Sequence, residues 1–341
     1  MATNTNYNPT LLDLAKVTDP NGQIAAVAEI LNLTNEILDD MTWIEGNLPT
    51  GHRSTIRSGI PAPTWRKLYG GVQPNKSATI QVTDNTGMLE AYAEIDKALA
   101  DLNGNTNAFR LQENRPHIEG FNQAVSTGLF YGNEAVLPEG ITGLGPRFNS
   151  LEAANGENII DAGGTGVDNN SIWLVVWSPE YVHGIVPKGS TAGMQVTDKG
   201  QVTVEDASYN GSATGRMEAY RTHYRWDVGM TVRDWRYVVR IANIDLSNLS
   251  AVYTAGAFAT PSANLPDLMY QALEQIPNLS SGRPAFYMSR KVRSFVRRQV
   301  AAATQASTLT IENVGGKMMM AFQGVPMRRV DALNANETRV V

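Results

Sequence analysis

From Thr42 to Asp84 the chain contains little that would hold it to a core. Glycine and proline punctuate short strand-like pieces. Only the last of these, SATIQVTD, alternates cleanly, with Ile80 and Val82 set between Thr79, Gln81 and Thr83. Loops beyond about 12–15 residues are uncommon in compact domains unless they function or bind. Whatever this chain folds into must find a use for over forty residues of extended, weakly apolar backbone. The middle of the segment, WRKLYGGVQPNK (65–76), combines Trp, Arg, Lys and Tyr, and Trp, Tyr and Arg are favoured interface anchors. Trp65 either folds back on its own domain or docks on another copy. Docking is the expectation, because the segment has no apolar body of its own. Trp65, Arg66, Lys67 and Lys76 are therefore the candidate intersubunit contacts.

Around this segment the periodicities are more conventional. At 341 residues the chain exceeds the roughly 100–200 residues of one domain, so two packed units, or one with large excursions, are expected. Asp19-Pro20-Asn21 resembles a helix start, and Ile24, Val27, Leu31, Leu38 and Met41 follow at helical spacing. A helix is predicted over 87–102, with Met88, Tyr92, Ile95, Leu99 and Leu102 on one stripe. Another is predicted over 105–131, with Ile118, Phe121, Val125 and Leu129 inward and a kink or restart at Pro116, which lacks an N–H. Gly132 is predicted to end it in the left-handed cap conformation. From about 150 to 262 the chain is β-rich: SIWLVVWS reads as a strand buried on both faces, YRTHYRWDV as a half-exposed one. A helix at 265–276 follows, with Leu265, Leu268, Met269 and Ile276 inward. After it come a strand PAFYMS, a helix from Ser289 to about Ala306, and strands LTIEN and GVPMRRVDAL.

Composition removes whole classes of chemistry. With no cysteine there is no disulfide framework, thiolate nucleophile or cysteine metal site. The start, MATNTNYNPTLLDLAK, lacks a signal peptide's basic and apolar regions, and no run reaches the roughly 18 apolar residues of a membrane span, so a cytosolic protein without membrane contact is expected. The 18% charged content is below a typical ~25%, which implies surface buried against a partner. Residues 1–40 carry six carboxylates against Lys16, whereas 283–341 hold ten Lys or Arg against Glu312, Asp331 and Glu337. Such opposed ends would attract one another between copies, or the basic end would meet nucleic acid.

No motif makes a strong case for catalysis. The glycine-rich loop EGITGLG (139–145) lacks the lysine of a phosphate-binding loop and is out of phase with a dinucleotide fingerprint. GGTGVD (163–168) matches the start of a calcium-binding nonapeptide, but a single copy cannot stack, and a surface turn is the expectation. His52, His117, His183 and His223 are scattered, with no metal-ligand spacing. No catalytic residue, cofactor site or metal site is expected. In SRKVRSFVRRQV, Arg290, Arg293 and Arg297 fall at i, i+3 and i+7 on one helix face, opposite Val292, Phe295 and Val296. That face suits phosphate or a protein partner, and protein contact is favoured.

The order of parts carries a resemblance. An acidic arm, a long extended hairpin, a helix ending in LFYGNEAVLPEGITGL, a β-rich insertion, then PAFYMSRKVRSFVRRQV and FQGVPMRRV resemble the major capsid proteins of tailed bacteriophages with the Hong Kong 97 fold. LPTGHRSTIRSGIPAPTWRKL and DAGGTGVDNNSIWLVVW are similar to capsid proteins of short-tailed phages of the Bordetella podophage kind. The resemblance implies an α+β capsid fold with a spine helix, an extended β-hairpin loop, and peripheral and axial domains. Its divisions are an arm at 1–41, the extended loop at 42–85, peripheral-domain parts at 86–150 and 276–341, and an axial domain at 151–275. Gly132, Pro138 and Gly140 become a hinge after the spine helix. The implied function is an icosahedral head shell of hexamers and pentamers, assembled in the bacterial host cytoplasm, residing in the virion and enclosing double-stranded DNA held without sequence preference. Implied partners are a separate scaffolding protein, a portal and a decoration protein. Some relatives crosslink lysine to asparagine; Lys67 and Lys76 lie on the matching loop, but no acceptor is identifiable, and no crosslink is expected. The rival readings are a non-specific nucleic-acid-binding protein and an enzyme whose site assembles only in space.

Overall fold

The computed structural model describes residues 35–102, 106–206, 215–251, 253–254, 257–258, 263–302, 309–314, 317–334 and 336–341. The strands are β1 (Trp43–Glu45), β2 (Gly51–Gly59), β3 (Ala78–Asp96), β4 (Ile159–Asp161), β5 (Asn169–Trp177), β6 (Val182–Val186), β7 (Gln195–Asp206), β8 (Gly215–Val232), β9 (Val238–Asp245), β10 (Tyr253–Thr254), β11 (Ala257–Phe258), β12 (Arg283–Met288), β13 (Leu309–Val314), β14 (Lys317–Phe322) and β15 (Val325–Arg329). The α-helices are α1 (Ile37–Asp40), α2 (Lys97–Asp101), α3 (Thr106–Tyr131), α4 (Leu144–Arg147), α5 (Leu246–Ala251), α6 (Leu265–Gln275) and α7 (Arg290–Ala302). The acidic helix expected from Asp19, with Ile24, Val27 and Leu31, lies outside the described residues. At its expected end, α1 buries Ile37 and is followed by buried Met41.

Two compact units emerge, and β3, α3 and β8 supply residues to both. The larger comprises 34–87, 126–192 and 228–341. Its main sheet runs β13-β14-β15-β12-β5-β9-β4. The central strands β5 and β9 are buried at every position, as the unbroken apolar run around SIWLVVWS predicts. Helix α7 buries Val292, Phe295 and Val296 and packs with α6 and β15, so its apolar stripe falls where the sequence puts it. Strand β14 (KMMMAF) is absent from the sequence reading; it pairs with β13 and β15, and the latter stops at Arg329 rather than continuing through VDAL.

A buried ion pair fastens the C-terminal segment to this sheet. Arg240 bonds Glu337 (2.8 Å), the Ser171 hydroxyl (3.1 Å) and the Phe148 carbonyl (2.6 Å), and its guanidinium lies 5.0 Å from the Trp173 ring centroid. Ser171 and Tyr131 both donate to the Glu337 carboxylate. Burial first, and then the neighbouring carboxylate, push the Tyr131 phenol far above its usual range. Beyond Glu337, Val340 exchanges two hydrogen bonds with the Asn243 side chain (2.8 and 2.9 Å).

The smaller unit comprises 88–125 and 193–227, together with 1–33, which lie outside the described residues. Here the helix predicted over 87–102 is corrected: β3 continues to Asp96, and only Lys97–Asp101 is helical. Leu89, Ala91, Ala93 and Ile95 also alternate, so the stretch satisfies period two as well as a helical period, and the neighbouring β8 decides for strand. Met88, Tyr92 and Leu102, expected inward, are exposed, while Ile95 and Leu99 pack with Ala100, Phe109 and Tyr220. Helix α3 passes through Pro116 as one assigned helix, and Ile118, expected on its inner face, is exposed. Phe121, Val125 and Leu129 are buried as predicted.

The end of α3 departs from expectation in a specific way. Gly132 closes the helix with its N–H on the Gly128 carbonyl (2.9 Å), yet it does not adopt the left-handed conformation. Its glycine is needed for close approach: a Cβ there would lie 2.3 Å from the Ile141 carbonyl oxygen. The loop makes turns at Asn133–Leu137 and Leu137–Gly140, then returns to the helix end, where the Gly143 N–H meets the Gly132 carbonyl (2.8 Å).

The base of the β2/β3 hairpin rests on a polar layer in the larger unit. His52 pairs in register with Asp84, and His183 with Thr231. The two imidazoles meet edge to face, 5.7 Å between centroids, and Arg147 bonds Asp84 at 2.8 Å. His183 is 1% exposed; burial, then His52 and Arg233, push it down to about 4, and burial likewise lowers His52.

Two outcomes are expected. Glu337→Ala leaves Arg240 buried without its carboxylate and costs about 3–5 kcal/mol in urea unfolding; a loss below about 1 kcal/mol contradicts a structural role for the pair. Because the folded pKa of His183 is depressed, the unfolded chain takes up its proton first as the pH falls below 6.5, and stability declines down to about pH 4. That contribution is on the order of 3 kcal/mol, and His183→Gln should flatten the stability profile between pH 6.5 and 4. Parallel profiles for the two proteins contradict the assignment.

Candidate assembly surface

The hairpin carries a tip that no other described residue covers. Strands β2 and β3 pair antiparallel from Gly51↔Asn85 to Gly59↔Ala78. Asn47 braces the start by exchanging two 2.7 Å hydrogen bonds with the Arg53 backbone. Across the tip, Asn75 donates to the Ala62 carbonyl (2.6 Å), and a turn joins Gly70 N–H to Lys67 carbonyl (3.1 Å) with Tyr69 at a positive φ of 63°. Trp65 and Tyr69 are as exposed as in an extended chain (102% and 101%), and Leu68 and Ile60 nearly so. Arg66, Lys67 and Lys76 are exposed beside them. Of the two readings of Trp65, the fold-back is not seen among the described residues.

The chain's opposed ends meet within one protomer. Arg328 bonds Asp40 with both Nε and Nη2 (2.9 and 2.7 Å), with Glu36 3.9 Å from its Nη1. Tyr287, fully buried, donates to Asp40 (2.9 Å) and accepts from the Trp177 indole (2.7 Å); burial and the Asp40 charge raise its phenol well above the usual value. The charge asymmetry is thus consumed in part inside the protomer, whereas the opposed signs alone suggested attraction between copies or contact with nucleic acid.

The three arginines of α7 do not form one free face. Arg290 is clamped by both carboxylate oxygens of Asp331. Arg293 is half-buried, and burial lowers its pKa first, aided by Arg329, Arg297 and Arg328 and opposed by Glu36. Arg297 is exposed. Asp331 and Asp40 enter the sequence reading only as charges, because partners far apart in sequence leave no periodic trace. Of the hinge residues, Gly132 lies at the helix end and Gly140 closes the following turn onto Leu137 (2.9 Å), with Pro138 between them exposed.

The histidines do not converge on one centre. His117 stacks on Tyr224 and His223 on Tyr92, apart from the His52–His183 pair. In the GGTGVD turn Asp161 accepts from Gly163 N–H and Asn243 (2.8 Å each), which makes it a turn-bracing residue. Among the described residues no group of three His, Cys, Asp or Glu side chains is placed to hold a metal ion, and no helix is long and apolar enough to cross a membrane.

Comparisons with known proteins agree with this architecture. The profile of the family Major capsid protein GP7 matches residues 19–341. A near-atomic structure of bacteriophage Epsilon15 is similar over 100% of this chain and 99% of its own, at 34% identity and a TM-score of 0.78. The bacteriophage JBD30 capsid matches at 10% identity over 89% of this chain and 91% of its own, with a TM-score of 0.46. The capsid of a native GTA particle matches at 12% identity over 70% and 99%, with a TM-score of 0.41. No curated protein matches the chain. The mixed α+β architecture is of the Hong Kong 97 capsid type, and the protein is a structural component of a phage head shell, not an enzyme. The chain belongs to the GP7 family of major capsid proteins.

Proposed function

We propose that the hairpin within 42–85 is the clamp by which each copy holds a neighbour in the icosahedral shell. The observation that carries this reading is the complete exposure of Trp65 and Tyr69 on a braced hairpin. Many modest contacts of this kind add through multivalency, so no single interface needs to be strong. In this reading 1–41 is an arm, 86–150 and 276–341 form a peripheral domain, 151–275 forms an axial domain, and Gly132, Pro138 and Gly140 form the turn between parts. Copies group into hexamers and pentamers in the host cytoplasm, with a separate scaffolding protein, a portal and a decoration protein. The shell encloses double-stranded DNA through phosphate contacts that carry no sequence information. The likeness of residues 48–68 and 161–177 to Bordetella-type podophage capsids supports a short-tailed phage as the source.

Deleting 62–76 removes the tip while leaving the strand pairs of the hairpin. The expected result is a folded protomer, by circular dichroism, that forms no shells in negative-stain images; normal particles would refute the clamp. For α7, the bonding of Arg290 and the partial burial of Arg293 favour protein packing over DNA contact. Replacing Arg290, Arg293 and Arg297 together by Gln should impair assembly even without DNA. Normal empty shells with weakened filled ones would reverse that reading.

A further inference from the structure

The hairpin has a chemical complement elsewhere on the molecule. Residues 51–77 carry five cations (Arg53, Arg57, Arg66, Lys67 and Lys76) and no carboxylate. The segments 88–125 and 193–227, which build the smaller unit, carry eleven carboxylates against seven cations. In this acidic unit a cleft of about 390 Å³ opens between β3 and α3, lined by Leu89, Glu90, Pro116, His117, Gly120 and Phe121.

The cleft suits an aromatic guest. Phe121 supplies a buried apolar floor, and His117, which burial keeps below its usual pKa, stacks on Tyr224 at 5.5 Å and 8° to give a flat wall. Nothing lies within 4 Å of where a Cβ on Gly120 would stand. Glycine is disfavoured in mid-helix relative to alanine, and here it leaves the helix surface bare where the cleft opens. Glu90 supplies a half-exposed carboxylate among the lining residues, 3.7 Å from Arg225 and 3.4 Å from His223.

We propose that this cleft receives the hairpin tip of a second copy, with Trp65 seated over Gly120 and Phe121 and the tip's cations drawn to Glu90 and to the unit's excess of negative charge. The assignment rests on the clamp reading and names its receptor. An aromatic side chain supplies the apolar area that holds such a contact, whereas the opposed charges steer approach and orientation.

The test uses the full-length chain. Gly120→Leu places its Cβ in open space and improves helix propensity, so the protomer should fold while the side chain occupies the cleft and shell yield falls at least tenfold. Trp65→Ala should cause a similar loss, and the double variant should be no worse than either alone, since both remove one contact. Additive losses, or normal shells from Gly120→Leu, overturn the receptor assignment. Because the chain has no cysteine, Arg66→Cys with Gly120→Cys provides an independent reading. Oxidised shells should give a disulfide ladder between copies that neither single variant gives, and its absence overturns the proposal. If deletion of 62–76 abolishes shells while Gly120→Leu assembles normally, the clamp stands and only the cleft falls. Normal shells from the deletion refute both.

Discussion

The Arg240–Glu337 pair is the constraint around which the larger unit is arranged. A guanidinium and a carboxylate this buried are tolerable only if their remaining hydrogen-bonding groups are met, and here Ser171, Tyr131 and the Phe148 carbonyl meet them. Those partners come from β5, the end of α3 and the segment after α4, while β9 and the C-terminal segment supply the pair itself. The pair therefore fixes five pieces of the chain at once. Replacing it with apolar residues need not weaken the unit, but would remove the geometry that tells these pieces where to meet.

Much of the fold was legible where one period dominated. The unbroken run in β5 and the inward face of α7 each admitted one arrangement, and each is found; the stripe on α3 is found at Phe121, Val125 and Leu129 but not at Ile118. Residues 87–96 were misread because they satisfy both a helical and a strand period, and only the presence of β8 decides between them. Gly132 was correctly placed at a helix end but for the wrong reason, since backbone proximity to Ile141 is invisible to local pattern. The assembly surface divides likewise. An extended segment bearing Trp65 without apolar support was readable from composition, whereas Asp40 with Arg328, Arg290 with Asp331, and His52 with His183 are tertiary meetings that no spacing rule announces.

Base and tip of the hairpin solve different physical problems. At the base, polar side chains are packed away from water, and the cost of charging His183 makes that junction sensitive to acid. At the tip, apolar side chains remain in water, braced by Asn75 and the Gly70–Lys67 turn. Bracing lowers the conformational entropy lost when such a loop is captured, which favours binding without any added contact.

The absence of carboxylates from residues 51–77 bears on what unassembled copies do to one another. Exposed aromatic side chains would ordinarily drive like surfaces together, and two tips meeting would bury Trp65 and Tyr69 from both. Each tip also carries Arg66, Lys67 and Lys76, so that homotypic encounter brings only cations face to face. Screening at physiological salt acts over about 8 Å, which leaves such close like-charge contact unfavourable. In the clamp reading, the residues that draw the tip toward an acidic surface also make it a poor partner for itself, and a concentrated pool of free protomers is guarded against the dead-end dimer its tryptophan would otherwise promote.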